Sequence, residues 1–116
     1  MYGLDHAIVI EMHGELDVVA YQRMAPLLDA VTAGSEPLVI VDLTPVTFLD
    51  CSGLSLLMRA HRRVTHRGGR LRLVCTQPMT LRMLRVTKLM SVLSPAPTLE
   101  AALEAALREP QKHDAD

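Results

Sequence analysis

Residues 48–64 read FLDCSGLSLLMRAHRRV, and they decide how the rest of the chain is interpreted. Apolar residues recur at helical spacing through Leu54, Leu57 and Val64, which predicts an amphipathic helix from about residue 52 to residue 66. An acid, a thiol and a hydroxyl stand together at residues 50–52, where this helix begins. That arrangement is open to three interpretations: a reactive-cysteine site, an anion-binding site, or an ordinary helix cap.

Strand and helix signals alternate in both directions from this helix. Before it, LVIVDL at residues 38–43 is a nearly continuous apolar run, as expected of a strand buried on both faces. After it, Gly68-Gly69 predicts a turn, and RLRLVC at residues 70–75 alternates like a strand with its arginines toward solvent. The other predicted elements, in chain order, are a strand at 6–13, a helix capped by Asp17, containing Pro26 and ending near Gly34, a loop at 44–50, a helix at 79–87 after Pro78, a strand at 90–93, and a helix at 99–108 capped by Thr98.

The order of these elements predicts an α/β fold. Strands that alternate with helices favour a mixed, partly parallel sheet, here of about four strands packed with about four helices. At 116 residues the chain fits one domain, which we assign to residues 1–109. Residues 110–116 are predicted to be a disordered tail.

Composition excludes several classes of protein. The chain is 49% hydrophobic with a formal net charge of −1, which is typical of a globular domain. No apolar run reaches the length of a membrane span, and the acids near the N-terminus do not fit a secretory signal. Two cysteines, Cys51 and Cys75, are too few for a disulfide framework. We therefore expect a reduced, cytoplasmic protein that does not enter a membrane.

Charge is distributed unevenly along the chain. Residues 1–50 carry eight acids and one base, whereas residues 51–99 carry nine bases and no acid. Most of these charges are interpreted as solvated helix faces, and Arg59, Arg62 and Arg63 are expected to face outward and assist encounter with an acidic partner. Aromatic residues make up only 3% of the chain and no basic arm is present, so direct binding to nucleic acid is not expected.

The sequence gives little support to catalysis. Cys51 would need a base beside it to act as a nucleophile, and none of the five histidines can be placed there from the sequence. A cysteine acting as a small apolar residue is the simpler interpretation. No cluster of residues has metal-ligand spacing, and Gly68-Gly69 lacks the lysine of a phosphate-binding loop. We therefore predict no enzyme, no catalytic residue, no metal and no cofactor.

A set of short motifs gives the chain a family resemblance. In chain order they are Gly14-Glu15-Leu16-Asp17, Asp42-Leu43, residues 48–54 (FLDCSGL) and Gly68-Gly69. Together they resemble the STAS domain, and more closely the bacterial anti-sigma factor antagonists, from about residue 6 to residue 108. The resemblance implies a small α/β sandwich that is not an enzyme. It also implies binding to an anti-sigma factor, often an ATP-using serine kinase, so that a sigma factor is freed. The alternative is a STAS-type interaction module of a larger sensory complex with no sigma factor.

The resemblance also assigns a site. In the family, phosphorylation directly after an aspartate releases the partner, and a phosphatase resets the switch. Here that position is Cys51, whose thiol is not an acceptor for a serine kinase. Either Ser52 takes the phosphate, or the chain is a non-switching variant that binds constitutively. The residues that the resemblance assigns to partner binding are Asp17, Asp50, Cys51, Ser52, Gly53 and Leu54.

Two further departures from the family concern backbone structure. Lys88 stands close to the point after the third helix where the family often has a glycine. Only five residues precede residue 6, so the family's usual first strand is expected to be missing. A sheet edge left open in this way would allow a homodimer through strand pairing.

Overall fold

The structure is a computed structural model that describes residues 2–4, 7–35 and 37–108. Within this part of the chain, no helix is long and apolar enough to cross a membrane. The predicted tail at residues 110–116 lies outside the described residues. The elements, in chain order, are β1 (Tyr2–Leu4), β2 (Ala7–Glu11), β3 (Gly14–Leu16), α1 (Val18–Val31), β4 (Leu38–Asp42), β5 (Val46–Leu49), α2 (Cys51–His66), β6 (Arg70–Val74), α3 (Pro78–Val86), α4 (Met90–Leu93), β7 (Pro95–Ala96) and α5 (Leu99–Arg108).

The strands form two sheets. The larger has five strands in the order β1-β2-β4-β6-β7, in which β1 is antiparallel to β2 and all other neighbours are parallel. The smaller is a parallel pair of β3 and β5. The predicted α/β fold with a mixed, partly parallel sheet is therefore confirmed.

Helices cover both faces of the larger sheet. Val39 and Val41 of β4 pack in one apolar cluster with α1 and α2, whereas Leu38 and Ile40 pack in a second cluster with α5. Because alternate residues of a strand point to opposite faces, α5 lies across the sheet from α1 and α2. Strand β4 is buried on both faces, as its apolar run predicts.

The N-terminal strand that the sequence was expected to lack is present. Three residues suffice to form β1, which pairs with β2 through the registers Tyr2↔Val9 and Leu4↔Ala7. The expectation of an open β2 edge is therefore wrong, because β1 covers it. A homodimer through strand pairing remains a prediction that has lost this support.

Other differences from the sequence prediction are local. Residues 44–50 were predicted to be a loop, but Val46–Leu49 forms β5, because these residues pair with β3. Met90–Leu93 was predicted to be a strand and is one helical turn that buries Leu93. Ser94 then takes a left-handed conformation (φ 48°) and turns the chain into β7. The sequence thus indicates the regions in which strands form, but the exact bounds of a strand depend on the strand with which it pairs.

Lys88 occupies the left-handed position that closes α3. Its φ is 63°, its N–H donates to the Arg85 carbonyl, and the next N–H, of Leu89, donates to the Leu84 carbonyl at 2.8 Å. This pair of bonds is a Schellman motif, in which the left-handed residue is usually glycine. A lysine there carries the steric cost of a Cβ atom in a left-handed conformation.

Candidate functional site

The two strands of the small sheet place Asp17 and Asp50 at the same edge of that sheet. Leu16 at the end of β3 is the register partner of Leu49 at the end of β5, and the Asp50 N–H donates to the Leu16 carbonyl (3.3 Å). Because the strands are parallel, the residues that follow them, Asp17 and Asp50, emerge at the same edge. Each begins a helix, so the starts of α1 and α2 lie side by side.

Both aspartates are helix caps. Asp17 Oδ1 accepts a hydrogen bond from the Ala20 N–H at 3.0 Å, which confirms its predicted role. Asp50 Oδ1 accepts from the N–H groups of Ser52 (2.8 Å) and Gly53 (3.2 Å). The alternative in which Ser52 caps α2 is therefore wrong, because the free amides at the helix start donate to Asp50. An anion at this helix start would have to displace the Asp50 carboxylate, because the N–H groups of Ser52 and Gly53 already donate to it. These donors are therefore not available to an anion, which argues against the anion-site interpretation.

Cys51 is the first residue of α2, and its side chain is exposed. The two histidines of the same helix, His61 and His66, follow ten and fifteen residues later, about 15 and 22 Å along the axis. Neither can serve Cys51 as a base. Among the residues that the structure describes, no group of histidine, cysteine or acidic side chains is arranged to hold a metal ion.

Gly53 and Leu54 face inward. Gly53 is buried, and a Cβ atom built on it would lie 2.5 Å from the Leu16 carbonyl oxygen and 2.9 Å from Leu49 Cγ. Leu54 is 9% exposed and belongs to the core. These two residues hold α2 tightly against the small sheet, while Ser52 is half-buried and Cys51 is left at the surface.

Exposed apolar side chains border the two caps, and sequence reasoning missed them. Val18, directly after Asp17, is 55% exposed, and Phe48, just before the end of β5, is 51% exposed. Phe48 is the register partner of Glu15, which is exposed as well. Exposed apolar side chains rimmed by polar groups mark protein interaction sites where they form one continuous patch, so these residues are a candidate contact surface. The signal available in the sequence was the apolar pair Val18-Val19 directly after a cap, where a solvated helix would carry polar residues.

The basic face of α2 is partly used inside the molecule. Arg59 binds the Asp29 carboxylate of α1 with two hydrogen bonds, of 3.0 and 2.6 Å, and donates a third to the Tyr21 hydroxyl at 3.3 Å. Arg63 Nε lies 3.1 Å from Asp29 Oδ1 at an angle that does not make a hydrogen bond, so this contact is electrostatic. The hydrogen bond from Arg59 lowers the pKa of Asp29, against the opposing effect of its burial. The expectation that Arg59, Arg62 and Arg63 all face outward is therefore wrong, because two of them join α2 to α1.

Gln77 is a structural residue that the sequence did not reveal. Its side-chain amide donates to the carbonyls of Leu43 (2.9 Å), Thr44 (3.0 Å) and Val46 (3.1 Å), and its oxygen accepts from the buried Cys75 thiol (3.2 Å). Burial raises the pKa of that thiol. Gln77 thereby fixes the turn that leads into β5 and the α2 start. A glutamine before a proline carries no sequence signal for such a role.

The comparisons with known proteins agree with the observed fold. A model of the STAS domain matches residues 1–104. The Mycobacterium tuberculosis protein Rv2638, assigned by name to the anti-anti-sigma factors, is 32% identical over 103 residues, which are 87% of this chain and 70% of that protein. The crystal structure of an anti-sigma factor antagonist from Mycobacterium paratuberculosis superimposes with a TM-score of 0.82 at 30% identity, covering 91% of this chain and 90% of that one.

A more distant structure shares the fold alone. The phosphorylated form of SpoIIAA, a Bacillus cell fate determinant, superimposes with a TM-score of 0.70 at 21% identity, covering 90% of this chain and 95% of that one. The domain model spans most of the chain, and two relatives of at least 30% identity cover it almost throughout. The chain therefore belongs to the STAS domain family.

Proposed function

We propose that this chain is an anti-sigma factor antagonist, which binds an anti-sigma factor and thereby frees a sigma factor. The observation that carries the proposal is the similarity, at 30% and 32% identity over about nine-tenths of this chain, to two proteins named for that role. The exposed apolar residues around the two helix caps support it, because they provide a surface for a protein partner.

The proposed contact surface lies where α1 and α2 begin. Asp17, Asp50, Cys51 and Ser52 would meet the partner there. Gly53 and Leu54 would act from beneath, because both are buried and set the position of α2. Cys51 is the most accessible of the residues between the Asp50 cap and Leu54, so a partner would meet its thiol first.

The anti-sigma factor is proposed to be of the serine-kinase type, and the chain is proposed to bind it without a phosphorylation switch. Cys51 occupies the exposed position where the family has its acceptor. Ser52 is one residue further along α2, about 100° around the helix axis, and is half-buried. A kinase that presents ATP to the first position would therefore not reach the Ser52 hydroxyl. In the switching alternative Ser52 takes the phosphate, and a phosphatase is then a second partner.

Binding is tested by titrating the purified anti-sigma factor of the same organism into the chain in a calorimeter. The parent is expected to bind, and Ser52→Asp to bind about 10- to 100-fold more weakly, because a carboxylate enters an interface that already holds Asp50. Ser91→Asp, the same change at an exposed position on α4, is the matched control and should bind like the parent. A parent that binds no anti-sigma factor of its organism would overturn the proposed function.

Phosphorylation is tested by mass spectrometry after incubation with the same anti-sigma factor and ATP. The parent is expected to remain unmodified, whereas Cys51→Ser, which restores an acceptor at the exposed position, is expected to gain one phosphate. A phosphate on the parent that disappears in Ser52→Ala would show that Ser52 is the acceptor and that the chain switches.

A further inference from the structure

An open groove of about 700 Å³ runs along α1, between this helix and the segment from the end of β2 to Asp17. Its wall on the α1 side carries Val19 and Leu27, whose side chains are 53% and 59% exposed. Val19, Arg23 and Leu27 follow one another at intervals of four residues, so they form one stripe about 12 Å long. Apolar residues this exposed on a surface helix are a feature of docking grooves.

The opposite wall is acidic. Glu11, Glu15 and Asp17 line it, and Arg23 is the one lysine or arginine among the described lining residues. His13 also lines the groove, and its Nε2 atom lies 3.6 Å from Oε1 of Glu11. A groove that presents two exposed apolar side chains, one arginine and three carboxylates is complementary to a segment that is apolar on one side and mainly basic on the other. A helix of about three turns with apolar residues at i, i+3 or i+4, and i+7 would match the length of the stripe.

We infer that this groove receives a basic amphipathic helix of the protein partner. The inference rests on the proposed function, which identifies the partner as an anti-sigma factor. It adds that the segment of the partner that binds here is helical, basic and amphipathic. The groove is continuous with the proposed surface, because Asp17 both lines it and caps α1 beside Asp50. A partner seated on the two helix starts would therefore extend along α1 without a gap.

The test uses the full chain labelled with nitrogen-15 and two monomeric helical peptides of about four turns. Both peptides carry the same stripe of leucines, and their polar faces carry lysine in one and glutamate in the other. The lysine peptide is expected to shift the amide signals of Glu15, Val19 and Leu27 saturably, and to bind at least about tenfold more tightly than the glutamate peptide. Equal affinity for the two peptides, or shifts centred elsewhere on the surface, would overturn the inference.

Variants at exposed positions give the matched controls. Glu15→Lys and Leu27→Ser change the acidic wall and the apolar wall in turn, and each should weaken the lysine peptide by about tenfold. Leu107→Ser alters a leucine of similar exposure (52%) on α5, across the sheet, and should have no effect. A Leu27→Ser variant that binds the lysine peptide as tightly as Leu107→Ser would also overturn the inference.

The inference and the proposed function fail in different ways. A chain that binds its anti-sigma factor equally well with and without the Glu15→Lys change would overturn the groove as a contact and leave the proposed function standing. A chain that binds the lysine peptide in the groove but no anti-sigma factor would overturn the proposed function and leave the groove.

Discussion

Gly53→Ala is expected to destabilise the domain, although alanine is the better helix former. In an unconstrained helix the change would stabilise by about 1 kcal/mol. Here the new Cβ would lie 2.5 Å from the Leu16 carbonyl oxygen, 2.8 Å from Leu16 Cβ and 2.9 Å from Leu49 Cγ. One of these atoms is backbone, and all three belong to the small sheet, so no flexible side-chain end can yield.

The size of the effect follows from the movement required. Restoring the oxygen contact to 3.4 Å needs a shift of about 0.9 Å between α2 and β3. Overpacking of this kind costs about 1–3 kcal/mol, and a close backbone contact places this site at the upper end. After the gain in helix propensity, we expect a net loss of about 2 kcal/mol. For a domain of this size the expected fall in Tm is roughly 5–15 °C.

Urea unfolding and thermal melts of the parent, Gly53→Ala and Gly34→Ala measure this directly. Gly34 follows α1, and a Cβ atom added to it would meet no atom within 4 Å, so its alanine variant should stay within about 0.5 kcal/mol of the parent. A Gly53→Ala variant as stable as Gly34→Ala would refute the argument that α2 is held against β3 by this close approach.

Three further predictions concern residues that act elsewhere in the fold. Asp29→Asn should destabilise the domain by about 1 kcal/mol at pH 7, because it breaks the two-bond contact with Arg59. Since the pKa of Asp29 is lowered from 3.8 in the folded state, this difference in urea unfolding should be full above about pH 5 and shrink as the pH falls further; a constant difference down to pH 2 would contradict it. Gln77→Glu should lower the free energy of unfolding by about 2 kcal/mol, because a carboxylate would face the carbonyls of Leu43, Thr44 and Val46, and a variant as stable as the parent would show that the amide is dispensable. Lys88→Gly should raise the free energy of unfolding by about 0.5–1 kcal/mol in the same assay by relieving the left-handed conformation, whereas Val86→Gly, at the last residue of α3, should lower it by roughly 0.5 kcal/mol or less.

The sequence predicted the order of the main elements because their signals are local. The apolar run of β4, the amphipathic pattern of α2 and the capping roles of Asp17 and Thr98 each depend on residues close together in the chain. Such features can be predicted without knowledge of what packs against them. The sequence placed Lys88 close to the point where the family often has a glycine, and its left-handed conformation is known only from the structure.

Features decided by distant residues could not be predicted. β5 is a strand because β3 pairs with it, and Arg59 turns inward because Asp29 lies on the neighbouring helix, 30 residues earlier in the chain. The sequence could not decide which residue caps α2, since both aspartate and serine are common cap residues. The hydrogen bond from the Ser52 N–H to Asp50 Oδ1 identifies Asp50 as the cap. The sequence predicted where α2 begins, but the exposed groove along α1 depends on how that helix sits against the segment before it.

Displacement of the sigma factor tests the central claim most directly. A fluorescently labelled sigma factor is bound to its anti-sigma factor, the chain is added in increasing amounts, and the anisotropy of the label is followed. An antagonist is expected to release the sigma factor at a ratio near one chain per anti-sigma factor, and Ser52→Asp should need about 10- to 100-fold more. A complex that stays intact in a large excess of the folded parent chain would contradict the proposed function.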